Sequence, residues 1–382
     1  MRVAIVADPY VPIPPTGYGG IEKIIYYLIQ GLMEQGHEPI LIGPGDSRVP
    51  CELLPTCPRA EFFPSDTAKL PAFEAKVRDI KKRSRNIIRE ILPRVDIIHS
   101  HGFDLSSFRD YPNLTTLHGP INLHQLKYYH SDIRKSLYYV AISKNQAAAL
   151  PSLQYVGIVY NGEDPKEFPI IQNPDNYVCF VGRFDREKNP HLAIELALSL
   201  DMKIKLAGKV DFQGRDYFDQ EIKKYLDHPL VEYLGVLPPE DSAKLMAHAR
   251  CNLHPTGFRE PFGLTILEAA YAGTPTLAIA RGAPPEIIED GRTGVLVEDF
   301  VEGHHLLNDC FEMDRAYIAA RARALFNYQV MTKQYIRAYQ KVIGLMGIKR
   351  AQRSRLQNLT AKTIRELRHI WEDSVGPPDS ND

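Results

Sequence analysis

The sequence predicts a parallel α/β protein made of two Rossmann-like domains that face each other across a cleft. Three observations lead there. Short apolar runs of strand length alternate with helical patterns, the signature of βαβ units in a parallel sheet. The alternation occurs in two series, separated by a stretch over 161–175 rich in Pro, Asn and acidic residues. At 382 residues the chain is long for one compact core and comfortable for two.

The first series opens with a buried strand over 2–7. Ile21, Ile24, Ile25, Leu28 and Leu32 then recur at helical spacing, and Gly36 stops that helix. A second strand is expected over 39–42, a charged helical region over 68–92 and a further strand over 97–100. Short strands at 115–117, 138–142 and 157–159 complete the series, with helices between them. The second series places strands at 177–182, 203–207, 231–234, 251–254, 276–280 and 294–297. Open α/β sheets bind ligands at the carboxyl ends of their strands, so both domains are expected to turn those ends toward the cleft.

Composition narrows the function without naming it. Hydrophobic residues make up 44% and charged residues 24%, ordinary for a soluble globular chain. A formal net charge of −1 gives no support for a nucleic-acid partner. The five cysteines are scattered with no C-x-x-C pair, which fits a reducing compartment better than disulfides or zinc. The N-terminal apolar run is too short for a signal peptide, and no stretch approaches the ~18–20 apolar residues of a spanning helix. A cytoplasmic protein is the expectation.

The most informative segment is 255–269. Glu260 precedes a Pro and a Gly and so lies in a loop. Leu264, Leu267, Ala269 and Ala270 begin a helical apolar pattern, with Glu268 about two turns in. The amides near Phe262, Gly263, Leu264 and Thr265 therefore form a helix N-terminus, a ready site for phosphate. A carboxylate on the helix below can accept hydrogen bonds from sugar hydroxyls. The pair describes a pocket for a nucleoside diphosphate joined to a sugar. Gly19 and Gly20 follow the first strand and let backbone approach a phosphate or sugar closely. They are not part of a G-x-G-x-x-G, so a dinucleotide site is disfavoured.

The segment closely resembles the E-x7-E motif of the retaining GT-B glycosyltransferases, in particular glycosyltransferase family 4. The resemblance continues through Gly182-Arg183-Phe184-Asp185-Arg186-Glu187-Lys188, Leu234-Gly235-Val236-Leu237, Ala272-Gly273-Thr274-Pro275, Pro285-Glu286 and Asp290-Gly291-Arg292-Thr293-Gly294. It implies the GT-B fold, with a last helix over 328–345 crossing back to the N-terminal domain. The implied domains are 1–165 plus about 328–347 on the acceptor side, 166–327 for the nucleotide sugar, and a basic extension over 348–382.

The resemblance also assigns roles. Arg183 and Lys188 would meet the negative charge that builds on the departing diphosphate. Glu268 would hold the ribose and Glu260 the transferred sugar. Gly19, Gly20, Gly182, Val236, Phe262, Gly263, Leu264 and Thr265 would line the donor, and His118 would contact the donor sugar or the transferred group. The two glutamates do not suit a glycosidase pair, which needs carboxyls ~5 Å apart; eight residues of helix rise ~12 Å.

The implied activity is metal-independent transfer of a hexose to a hydroxyl, with no cofactor. UDP-hexose such as UDP-glucose leads, and GDP-mannose follows. The acceptor is unreadable. A non-catalytic sugar-nucleotide or glycan-binding protein and a sugar-nucleotide epimerase are the rival readings. His99 and His101 share a strand face and allow a metal reading, but a third ligand is lacking. The basic segment 349–371 suits either an anionic membrane surface or a groove on the N-terminal domain; its narrow apolar face favours the groove.

Overall fold

In the computed structural model of the protein, the structure describes residues 1–349 apart from Tyr18, 65–66, 122–127, His130 and 212–213. The basic segment singled out above therefore lies outside the described residues from 350 onward.

The two expected α/β series form two parallel sheets. The first has seven strands: β1 (Arg2–Val6), β2 (Glu38–Pro44), β3 (Glu52–Cys57), β4 (Ile97–Ser100), β5 (Asn113–Leu117), β6 (Tyr138–Ala141) and β7 (Gln154–Ile158). Their order is β3-β2-β1-β4-β5-β6-β7. The second has β8 (Tyr177–Val181), β9 (Lys203–Ala207), β10 (Val231–Tyr233), β11 (Cys251–His254), β12 (Thr276–Ile279) and β13 (Gly294–Val297), in the order β10-β9-β8-β11-β12-β13. Strand order reverses between β1 and β4 in one sheet and between β8 and β11 in the other. Each reversal opens a crevice at the strands' carboxyl ends.

β3 was not expected from the sequence. Its run ELLPTC carries a Pro and a charged residue, and only its last two residues are buried. It is an edge strand, the one place in a sheet where Pro costs no ladder hydrogen bond.

The helices that position the sites follow from their apolar faces. α1 (Gly20–Glu34) buries Ile24, Ile25, Leu28 and Leu32 on one face at helical spacing. α2 (Leu70–Ile91) carries the charged pattern, with Val77, Ile80, Ser84, Ile88 and Ile91 buried along one stripe. α3 (Lys144–Ala149) is capped by Ser143, whose hydroxyl accepts from the Gln146 amide at 3.0 Å. α4 (Pro190–Ser199) follows β8, and α5 (Leu264–Tyr271) follows β11.

A last helix, α6, spans 328–349. It packs on the first sheet: Tyr328, Met331, Tyr335, Tyr339 and Val342 share one core with β1 and α1. A side chain at Gly31 of α1 would sit 2.1 Å from Thr332 Oγ1, so glycine permits the close helix crossing. His99 of β4 fixes α6 further, with Nδ1 2.8 Å from Tyr339 Oη and Nε2 2.8 Å from Thr116 Oγ1. Both ring nitrogens of His99 thus lie within hydrogen-bond distance of hydroxyls. Among the described residues no helix is long and apolar enough to cross a membrane.

Candidate active site

The crevice of the second sheet gathers the charged residues. The chain leaves β8 at Gly182, whose amide donates to Ala207 O at 3.0 Å, and turns through 183–189 into α4. Asp185 shapes that turn: its Oδ1 accepts the amides of Glu187 (3.0 Å) and Lys188 (2.9 Å). The turn presents Arg183 and Lys188 at a sheet's carboxyl end. Arg183 lies 3.1 Å from Asp185 Oδ2 and 3.4 Å from Glu187 Oε2, with 28% of its side chain exposed.

The chain leaves β11 at His254 and returns at α5, with Glu260 in the loop between. Glu260 ion-pairs with Lys188, and their side chains are 9% and 17% exposed. Lys188 also lies 5.0 Å over the Phe258 ring. His254 Nε2 stands 3.4 Å from Glu260 Oε2 and 2.9 Å from Thr256 Oγ1, and its Nδ1 is 3.4 Å from Thr265 Oγ1. Burial opposes a charge on Glu260, but the Lys188 ammonium and the His254 ring outweigh it and bring its carboxyl to about 2. Glu260 is therefore ionised at neutral pH, suited to holding a ligand and not to donating a proton. Burial and the Lys188 charge push the His254 ring below the usual histidine range, against the opposing pull of Glu260.

The backbone of Glu260 is clamped from the side of β12. Its amide donates to Arg281 O at 3.1 Å, and its carbonyl accepts from Ala283 N at 2.9 Å. Gly282, between those two, has φ +99°, and a side chain there would come within 2.4 Å of both Glu260 N and Glu260 O. Only glycine allows the clamp. The single glycine in this loop is thus the one the geometry requires.

α5 begins at Gly263, which has φ +99°. The first amides of any helix lack an intrahelical acceptor, and this helix start lies beside His254, whose Nδ1 is 3.4 Å from Thr265 Oγ1. The Phe262 side chain is 2% exposed and packs near Tyr160 and Phe326, leaving only its backbone for a ligand. Gly20, at the start of α1, lies against this helix end: a side chain there would meet Leu264 Cδ1 at 2.8 Å. Val236 is 53% exposed and faces Gly17 of the glycine loop.

Glu268 is placed differently from Glu260. Lys23 of α1 reaches across the cleft to its Oε1 at 3.1 Å and also ion-pairs with Glu163, which is fully buried. Burial, opposed by Lys23, raises the Glu163 carboxyl to about 8. His118 belongs to a third group. Its Nε2 lies 2.8 Å from His101 Nδ1 at the carboxyl ends of β5 and β4. Burial lowers its ring to about 4, so it is neutral at pH 7. No hydrogen bond or ion pair among the described residues joins it to Lys188 or Glu260.

A model of the glycosyl transferases group 1 matches residues 163–307, and a model of glycosyltransferase family 4 matches residues 18–167. The two spans meet and together run over residues 18–307. The chain belongs to glycosyltransferase family 4. D-inositol 3-phosphate glycosyltransferases of Mycobacterium tuberculosis and Mycobacterium bovis are 31% identical to it over 194 residues. That match spans 47% of this chain and only 40% of each of those proteins. Among solved structures, the sucrose-phosphate synthase of Thermosynechococcus elongatus superposes with a TM-score of 0.70 at 20% identity, over 90% of this chain and 99% of that one. Anabaena HepE in complex with UDP and glucose gives 0.63 at 19% identity, over 87% and 98%. These structures share the GT-B fold with this family 4 chain.

Sequence reasoning missed four residues that shape the two crevices. His254 ends a strand, and a polar residue at a strand's carboxyl end was the available signal. Asp8 stands at the end of β1 for the same reason. Lys23 interrupts the apolar face of α1. Gly282 had no signal, because its need is set by Glu260, 22 positions earlier.

Proposed function

We propose that this protein is a metal-independent, retaining glycosyltransferase that moves a hexose from a nucleoside-diphosphate sugar to a hydroxyl. The observation that carries the reading is the Lys188–Glu260 pair at the β8/β11 crevice, beside the N-terminus of α5. A cation for the diphosphate touches a carboxylate for the sugar. A glycosidic linkage is the bond at which a phosphate and a sugar meet, so one donor satisfies both.

In this reading Arg183, Lys188 and the α5 amides take the charge that develops on the departing phosphate. Glu260 holds hydroxyls of the sugar, and Glu268 shares its carboxylate between Lys23 and the ribose. The anomeric carbon–oxygen bond to phosphate breaks, the acceptor oxygen bonds to that carbon on the same face, and its proton passes to the departing phosphate oxygen. Positive charge fixed in the protein replaces a metal in this scheme. UDP-glucose leads as donor and GDP-mannose follows; the UDP and glucose bound by HepE support that order. A cytoplasmic site of action belongs to the same reading, with peripheral membrane contact through 349–371 testable by vesicle flotation.

A thermal-shift panel of UDP, GDP and ADP, followed by turnover of the matching sugar nucleotides, tests the reading. One nucleotide should stabilise the protein and its sugar conjugate should be consumed, with activity retained in EDTA. Loss of activity on chelation, restored by magnesium or manganese, would overturn the metal-free scheme. Binding without any transfer or hydrolysis would favour a non-catalytic sugar-nucleotide receptor.

A further inference from the structure

The crevice of the first sheet holds a cavity of about 330 Å³ at the β1/β4 reversal. Its size lies at the small end of ligand pockets, which run from ~300 to 1,000 Å³. Asp8 enters from the end of β1, His101 from the end of β4 and His118 from the end of β5. Three polar atoms of residues lining this cavity are buried without a hydrogen-bond partner among the described residues: Asp8 Oδ1, His101 Nε2 and Arg134 Nε. Such atoms are costly unless a ligand or water satisfies them. Gly102 makes room for the carboxylate, since a side chain there would sit 2.2 Å from Asp8 Oδ2.

The rest of the lining is largely aromatic, and its cation is paired through one nitrogen. Tyr128 and Tyr129 form one wall, their rings 5.0 Å apart and edge-on. The described lining carries one cation, Arg134. It lies 2.8 Å from Asp104 Oδ2 and stacks 3.6 Å over the Tyr128 ring. With Asp8 and Asp104 both in the wall, a phosphate entering here would meet more carboxylate than free cation. Flat tyrosine faces beside a carboxylate and an imidazole instead suit a ring bearing adjacent hydroxyls. Ile21 also lines the cavity, one residue from the Gly20 contact with α5, so the cavity opens beside the donor crevice.

We propose that this cavity seats the acceptor as one uncharged ring with adjacent hydroxyls, a pyranose or a cyclitol, held by Asp8 and His101 against the tyrosine wall. The proposal rests on the glycosyltransferase reading for the word acceptor, but the binding it describes is measurable without turnover.

The test uses the full chain and saturation-transfer NMR with methyl α-glucoside, methyl α-mannoside and myo-inositol, against glucose 6-phosphate and myo-inositol 1-phosphate. UDP is titrated into the same sample. At least one neutral ring should bind, its phosphorylated counterpart at least tenfold more weakly, and Asp8→Asn should weaken the neutral ring at least tenfold. If Asp8→Asn does not fold, Tyr128→Ala decides, with a loss of at least fivefold expected. The proposal falls if no neutral ring binds a protein that binds UDP, if a phosphorylated ring binds more tightly than its neutral partner, or if the folded variants bind as the parent does. Ring binding without UDP binding would overturn the donor reading and leave the cavity's assignment standing.

Discussion

Two charged residues are already committed to each other before any ligand enters. Lys188 and Glu260 form a pair with little solvent contact, and His254 stands behind the carboxylate. Removing one partner of such a pair strands the other charge, a loss of ~3–5 kcal/mol. Lys188→Ala is therefore expected to lower both turnover and melting temperature, whereas Arg183→Ala, more exposed, should lower turnover alone. The expected loss of turnover is at least ~100-fold for each, the scale of a lost electrostatic donor. Parallel kinetics and calorimetry check this, and a Lys188→Ala variant as stable as the parent would show that the pair is not enclosed. The sequence alone suggested two cleft-surface cations. It could not reveal the pairing, because the partners are 72 positions apart. The two glutamates should separate in the same assays. Glu268→Ala should weaken UDP binding, since the ribose is common to UDP and its sugar conjugates. Glu260→Ala should lower turnover with UDP affinity largely kept. Isothermal titration distinguishes them, and the reverse pattern would exchange their assignments.

At the scale of elements, the strands were legible because their cause is local. β1, β4, β8, β11, β12 and β13 are short apolar runs bounded by polar or turn residues, and each lies within a residue or two of its expected position. β3 escaped because an edge strand needs neither a continuous apolar run nor freedom from Pro. α5 was legible from its apolar spacing and the glycine at its start. What the pattern did not contain was the clamp on the loop before it. Gly282 approaches the Glu260 backbone too closely for any side chain and holds φ +99°. Gly282→Ala should cost ~1–3 kcal/mol through strain, and should displace Glu260 from Lys188. A lowered melting temperature together with reduced turnover is the expected outcome. Unchanged thermal unfolding and kinetics would mean that the 281–283 loop gives way without moving Glu260.

Across the whole molecule, the two sheets are joined by contacts that no local pattern announces. Glu286 accepts the amides of Lys144 (2.8 Å) and Asn145 (2.7 Å) at the start of α3, and takes the Tyr160 hydroxyl at 2.8 Å. Its carboxylate ties the two halves together. Lys23 makes the second tie, to Glu163 at the junction and to Glu268 on α5, 140 and 245 residues away. Here one ammonium offsets two carboxylates, one of them fully buried. Lys23→Met leaves Glu163 to take up a proton or remain charged without compensation. Its carboxyl already titrates above the ordinary range because burial outweighs Lys23. An acid with a raised native pKa binds more protons folded than unfolded between the two values, so stability falls as pH rises through that window. The variant should therefore lose ~3–5 kcal/mol above about pH 8, where Glu163 is ionised in the parent, and less at neutral pH and below, where Glu163 is protonated in the native state. Adding Glu163→Gln should recover most of the loss and flatten its pH dependence. Thermal unfolding of the parent, the single variant and the double variant from pH 6 to pH 9 measures each of these. A single variant that is equally stable across that range would show that Lys23 is not what holds the buried carboxylate, and that the halves are joined at this point by packing alone.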